Sequence, residues 1–495
     1  MTGILIVNGT IVTLNRNRDI IHNGSLFINK GKIIDIGKRS DLEKKYTYEE
    51  KIDAKNKIIL PGFVNVHTHV DNILFRGGLG QDRYLDDWLE NLNFPGVWAL
   101  KAEDCRIAAA LYCQEAMLSG ITTIVDNSTW GMGGPKAEEI AIPTIETYKK
   151  IGIRAIYGRM IGDQFPPELE TSTRLLREKE PDTVHVPIDS LSIESPDNAR
   201  KETSKLINRY HLGKKGLIQI WPNPVKTSFN STESLKMALE LAEEYDTMVM
   251  LHLDESEKDA FFDKIRYGMS SVEYLDSIGF LNERLLTGHC VWVDERDIRI
   301  LKRKNVKIAH LPICNMYLGS GIAPIVEMLN SGLVVALGTD DACASDTVSM
   351  ISSMKFAALL QKVKTLDASS ITAEKVLEMS TIDAAKALGM EKLIGSIEVS
   401  KKADVIILDS NYPNLKPMHH IPSAIVYQAY GNEVDTVIID GKIVMKERKI
   451  ASIEELYGDS LLVKAQKASE AIIDRAGMQK QLDRGWKTIR SSQYP

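Results

Sequence analysis

Apolar and polar residues alternate in short runs at the start of the chain: Ile4 to Val7, Thr10 to Leu14 after Asn8-Gly9, and Ser25 to Ile28 and Ile33 to Ile36 after Asn23-Gly24. Period-two alternation puts every second side chain on one face, and Asn-Gly pairs tolerate the left-handed backbone of tight turns, so this stretch predicts a β-meander. The pattern returns near the other end at Ala403 to Leu408, Ala424 to Tyr427 and Val434 to Ile439, then Lys442 to Met445 after Asp440-Gly441. Residues 1–58 and 394–450 are therefore expected to build a small composite β-sandwich from both termini.

Between them the period changes. Eight apolar, β-branched runs alternate with helical stretches: Gly62 to His69, Ile121 to Asp126, Arg154 to Ile161, Leu217 to Trp221, Met248 to His252, Leu285 to His289, Val306 to His310 and Leu333 to Gly338. Continuous apolar strands alternating with helices signal βαβ units and a parallel sheet covered on both faces. Eight of them predict an α/β fold with a (β/α)8 TIM-type barrel over residues 59–393. An open doubly wound sheet is the alternative, and Val184 to Pro187 is a further candidate strand. Beyond about Ile453 the apolar positions Leu456, Leu461, Leu462, Ala465, Ala468 and Ile472 are spaced for an amphipathic packing helix, giving residues 451–495 as a C-terminal helical extension.

Composition narrows the partners. At 495 residues, with 44% hydrophobic and 26% charged positions, the chain has globular proportions and exceeds one ordinary core of ~150 residues. Lys and Arg number 61 against 67 Asp and Glu, and no basic arm could neutralise a row of phosphates, so a small-molecule ligand is expected rather than nucleic acid. The five cysteines (Cys105, Cys113, Cys290, Cys314, Cys343) are scattered without a CxxC pair, which argues against disulfides or a cysteine zinc site and fits a reducing compartment. The opening MTGILIVNGTIVTLN has no basic leader region, and no apolar run approaches the ~20 residues of a membrane span. A cytoplasmic enzyme that needs no membrane is the expectation.

The sharpest chemical signal is His67-Thr68-His69 at the end of the first barrel strand, where positions i and i+2 face the same way and can offer two imidazoles to one ion. His252, His289 and Asp340 end or follow three other predicted strands. Active sites of these barrels lie at the C-terminal ends of the strands, and nitrogen and oxygen ligand types converging there have no packing rationale.

On these residues the chain resembles the amidohydrolase superfamily: PGFVNVHTH at Pro61 to His69, HLDES at His252 to Ser256, GHC at Gly288 to Cys290 and LGTDD at Leu337 to Asp341. The further matches FRGG, DWL, SGITTI.DN, YLGSG.AP, LEM.TID.A and AIVYQAYGNEVDTV at Ala424 to Val437 are similar to its atrazine chlorohydrolase and melamine deaminase branch. The resemblance covers nearly the whole chain. It implies His67, His69, His252 and Asp340 as ligands of one divalent ion, zinc or alternatively iron, with His289 beside the metal-bound water. Three neutral imidazoles and a carboxylate leave a position open for water, whose pKa falls from ~15.7 towards ~7. Asp340 is then expected to take the proton of that water, and Glu255, in the family's HxxE arrangement, to pass one to the ring nitrogen. Two-metal members carry a carbamylated lysine where this chain reads Trp221-Pro222-Asn223, so one metal per subunit is implied.

Other residues have lesser claims. Asp341 is a candidate for hydrogen bonding a leaving or ring amino group, Trp88 and Trp221 for aromatic walls, and Asn315 matches a family position that faces substrate. Arg76 would bind a carboxylate or support its loop. His310 reads as a satisfied structural histidine, His419-His420 as surface, and Cys290, Cys314 and Cys343 as small packing groups. Adenosine-type members commonly show a histidine within the stretch that reads IWPNPVKTSF here, which disfavours a nucleoside substrate. The resulting expectation is a metal-dependent deaminase of a nitrogen heterocycle, acting as a homo-oligomer. Hydrolytic dechlorination of s-triazines, ring C–N hydrolysis in a hydroxylated pyridine, and a non-catalytic assembly protein are the alternatives.

Overall fold

The structure is a computed structural model and describes residues 3–128, 137–166 and 193–482. From the N-terminus come β1 (Ile4–Val12), β2 (Ile20–Asn29), β3 (Lys32–Gly37), β4 (Glu50–Asp53) and β5 (Lys57–Pro61). The predicted Asn8-Gly9 turn is instead a bulge within one strand. Asn8 takes φ 65°, and the register of β1 against β2 shifts at Gly9. The bulge is where β1 changes partner, since Ile4 to Val7 pair with β4 whereas Thr10 and Ile11 pair with β5. Glycine leaves room there for a neighbouring strand: a Cβ on Gly9 would sit 2.4 Å from Cδ1 of Ile59 and force that side chain to shift.

The barrel strands are β6 (Phe63–His69), β7 (Ile121–Ser128), β8 (Arg154–Ile161), β9 (Ile218–Pro224), β10 (Val249–Leu253), β11 (Leu285–His289), β12 (Lys307–His310) and β13 (Val334–Leu337). All eight coincide with the predicted runs to within two residues at most boundaries. Parallel ladders run from β6 to β9 and from β10 to β13. The two arcs meet where the His252 amide donates to the Val225 carbonyl at 3.0 Å. On the other side the short β14 (Asp340–Asp341) continues β13 and pairs with Thr68 and His69 of β6. Both junctions thus fall at metal-ligand candidates. The candidate strand at Val184 to Pro187 lies outside the described residues.

The C-terminal part adds β15 (Val405–Asp409), β16 (Val434–Ile439) and β17 (Lys442–Met445), and the sheet runs β17-β16-β15-β5-β1-β2-β3 with β4 on β1. Strands from both ends therefore share one hydrogen-bonded network. The stretch Ala424 to Tyr427, predicted as strand, is helical from Ile421 to Gln428. Pro422 pre-sets the backbone at the helix start, and an apolar run of four has no period by which to tell strand from helix. The tail forms helices Ala451–Tyr457 and Leu461–Ala476, the latter packing on helix Ala102–Leu118 and burying Leu461, Ala465, Ala468 and Ile472. Leu456 and Leu462, expected on the apolar face, are exposed. Among the described residues no helix is long and apolar enough to cross a membrane.

A buried ion pair ties the barrel to the sheet. Arg154, the first residue of β8, donates from Nε and Nη2 to the two carboxylate oxygens of Asp404 at 2.7 and 3.0 Å, and from Nη1 to the Gly216 carbonyl. Asp404 also accepts from the Asp440 amide at 2.7 Å. Removing one partner leaves an uncompensated buried charge, so Arg154→Met is expected to cost about 3–5 kcal/mol in denaturant unfolding. Combining it with Asp404→Leu should recover much of that loss.

Candidate metal centre

Four imidazoles and two carboxylates from β6, β10, β11 and β14 and the turn after β10 converge inside the barrel mouth. His67 and His69 leave β6 on one face, with ring centroids 5.2 Å apart, and the His67 ring lies 4.9 Å from His252 and 5.6 Å from His289. Nε2 of His69 and of His252 stand 3.3 Å apart. Oδ1 of Asp340 is 3.4 Å from His67 Nε2 and 3.5 Å from His69 Nε2, and its Oδ2 is 3.7 Å from His289 Nε2. Glu255 reaches the same place, 3.7 Å from His289 Nε2. Such an approach needs one side chain to be absent. A Cβ on Gly288 of β11 would lie 3.1 Å from the His67 ring, tighter than ordinary packing allows.

The backbone pays for this arrangement. His289 and Asp340 hold φ of 68° and 60°, in the left-handed region that non-glycine residues avoid at a cost of ~1–3 kcal/mol each. Outlying backbone of this kind gathers where side chains are aimed at a ligand.

Hydrogen bonds fix the imidazoles. His252 Nδ1 donates to the Val225 carbonyl at 2.8 Å and His289 Nδ1 to Asn315 Oδ1 at 3.0 Å, leaving each Nε2 with its lone pair turned inward. Asn315 is thus engaged with His289, and it is not among the described residues that line the cavity. His67 Nε2, His289 Nε2 and Asp340 Oδ2 are buried without a hydrogen-bond partner. Unpaired polar atoms crowded together are costly unless something binds them. Burial lowers the pKa of His67 and His252 and brings His69 to about 4, so the rings are neutral and able to ligate. Burial alone would raise Asp340, yet His67 and His289 overcome it and hold the carboxylate well below its usual range. The atoms of His67, His69 and Asp340, and those of His67, His252 and His289, lie within 4.8 Å of one another. Neutral nitrogens with a carboxylate suit zinc or iron better than magnesium.

The cluster floors a cavity with walls of Leu85, Trp88, Phe94, Met160, Phe229 and Leu318. Trp88 is therefore a wall, whereas Trp221 packs inside the barrel and bonds Gln219 at 3.1 Å. Asp341 lines the cavity, accepting from the Cys343 amide at 2.9 Å and from Asn72. Burial brings Asp341 and Glu255 each to about 7. Cys314, expected as packing, also faces the cavity. Arg76 pairs with Glu115 and so supports its loop, and His419-His420 is exposed. His310 is buried as expected, but neither ring nitrogen has a partner. Two polar lining residues were not singled out from the sequence: Lys226, whose ammonium bonds Asp259 at 2.9 Å, and Asn93.

Comparison with known proteins places this geometry. Residues 58–444 match the amidohydrolase family. The 5'-deoxyadenosine deaminase of Methanobrevibacter smithii is 37% identical over 85% of this chain and 88% of its own. The S-triazine hydrolase of Gordonia rubripertincta is 36% identical over 79% of this chain and 78% of its own. Among solved structures, a zinc-bound adenosine deaminase from Xanthomonas campestris superposes with a TM-score of 0.84 at 25% identity, covering 95% of this chain and 98% of that one. With a parallel barrel, a buried His/Asp cluster at its mouth and similarity running through both terminal segments, this chain belongs to the amidohydrolase family.

Proposed function

We propose that the chain is a metal-dependent deaminase of a nitrogen heterocycle. The observation that carries the reading is the pairing, on one cavity floor, of a neutral imidazole–carboxylate cluster with Glu255, a buried carboxyl that burial brings to about 7 although His289 and Lys226 pull it down. Relatives named as a 5'-deoxyadenosine deaminase and as an S-triazine hydrolase have a nitrogen heterocycle in common and lend it support.

In this reading His67, His69, His252 and Asp340 would hold one divalent ion, zinc or iron. When bound, that ion supplies Lewis acidity that makes a water molecule nucleophilic at neutral pH. The protein's own residues do the rest. His289, held by Asn315, orients the attacking water with its inward Nε2. Asp340 receives the proton as the oxygen bonds the ring carbon, and Glu255 delivers a proton to the adjacent ring nitrogen. The C–N bond then breaks, ammonia leaves with a proton from the carboxyl groups, and the ring is left as the lactam. Trp88 and the neighbouring apolar walls stack on the flat ring and keep bulk water out. Asp341, which burial brings to about 7 and so leaves partly protonated near neutral pH, is a second donor for the departing amine.

Three outcomes test this reading. Alanine at His67, His252 or Asp340 should abolish stoichiometric metal content by elemental analysis, and retention in any two overturns the ligand set. Glu255→Gln should keep the metal and lower kcat by ~10²-fold or more, because an amide fills the same space without relaying a proton. Chloride leaves unaided whereas an amine must be protonated, so the wild type should favour an amino ring over its chloro counterpart in kcat/KM. Asp341→Asn should narrow that preference.

A further inference from the structure

The cavity wall contains a polar group that neither the fold nor the proposed chemistry uses. Asn93 is 2% exposed and lines the cavity. Its Oδ1 is buried without a hydrogen-bond partner, and among the described residues its amide nitrogen makes no hydrogen bond either. A buried carboxamide left unpaired is destabilising, and a leucine, with the same branched heavy-atom skeleton, would serve better among Leu85, Leu89 and Phe94 if packing were its purpose. Its place in the backbone is unusual too. Asn93 ends a π-helical turn, Leu89–Asn93, set between helices Leu85–Trp88 and Phe94–Trp98. Such turns insert one extra residue, redirect the side chains that follow, and recur at functional sites.

Beyond the floor cluster, Asp341, Lys226 and the indole N–H of Trp88, which is likewise buried without a partner, the cavity's lining is apolar or sulfur-bearing among the described residues, and Lys226 is engaged with Asp259. An unpaired carboxamide in such a wall offers one donor and one acceptor side by side. That pattern complements a ring edge presenting an acceptor beside a donor, as in a lactam (C=O next to N–H) or an aminated ring nitrogen, in the way an asparagine reads adenine bidentately.

We propose that Asn93 is the specificity-determining residue of this site, binding the substrate by a donor–acceptor edge of the ring remote from the attacked carbon. The substrate class is then an aminated heterocycle whose remote edge is an unsubstituted lactam or amidine. The inference rests on the deaminase reading and deepens it. A sugar or alkyl group on that edge would remove the donor and crowd the amide.

The test compares wild type, Asn93→Leu and Asn93→Asp on aminated pyrimidines, purines and s-triazines, each offered as the free lactam or amidine and as its N-methyl derivative. The wild type should prefer the unmethylated ring. Asn93→Leu should lose about 10- to 100-fold in kcat/KM on that ring and less than about threefold on the methylated one, the worth of one bidentate contact. Asn93→Asp, which keeps the volume but loses the donor, should lose the same preference. Metal content should be unchanged, and Asn93→Leu should melt at the same or a higher temperature, because it removes an unpaired buried amide. A lowered melting temperature, or equal losses on both rings, would make Asn93 a packing residue and overturn the inference. Absence of turnover on every ring by the wild type would overturn the deaminase reading instead, and calorimetric binding of the same ring pairs would then still decide the role of Asn93.

Discussion

The confinement of the Asp340 carboxylate and three imidazoles to one buried spot is the constraint on which the rest of the site depends. A lone carboxylate so deeply buried would take up a proton, because removing its charge from water is expensive. Here His67, His69 and His289 stand close enough to reverse that tendency. The arrangement requires β6, β11 and β14 to end at the same height, which is what barrel closure provides. Because Asp340 and Asp341 are also the residues that pair with Thr68 and His69, the closing ladder and the candidate ligand cluster are formed by the same backbone.

The same burial that keeps the imidazoles neutral raises Glu255 and Asp341 to about 7, so one cavity holds a carboxylate that stays charged and two that exchange protons near neutrality. The difference is one of neighbours rather than residue type: Asp340 faces imidazoles, Asp341 faces Asn72 and the Cys343 amide, and Glu255 lies between His289 and Lys226. Environments that push apart the titration of like groups are how a site divides accepting a proton from donating one. The apolar walls strengthen each of these interactions by lowering the local dielectric.

Much of the architecture could be read from the chain. Parallel barrel strands are buried on both faces, so they are written as continuous apolar β-branched runs, and all eight stand where those runs occur. The departures share a cause. Asn8-Gly9 signals positive φ correctly, but whether that makes a turn or a bulge depends on β5 arriving beside Ile11. Ala424 to Tyr427 is apolar enough for either a strand or a helix, and packing against helix Met350–Thr365 selects the helix.

The site divides in the same way. His67 and His69 on one strand, and His252, His289, Asp340 and Glu255 at or just beyond strand ends, are determined by the sequence itself, since the strand period and the barrel's polarity leave those side chains one place to go. Which groups they meet was decided only by the tertiary structure. Asn315 is spent on His289, Trp88 forms a wall while Trp221 does not, and Lys226 and Asn93 enter the cavity although neither residue carries a signal of its own in the sequence. Those outcomes depend on how loops after different strands pack over one another. Sequence spacing carries periodicity along an element, but hydrogen-bond satisfaction is settled between elements, and an amide left unpaired at Asn93 becomes visible only once every neighbour is in place.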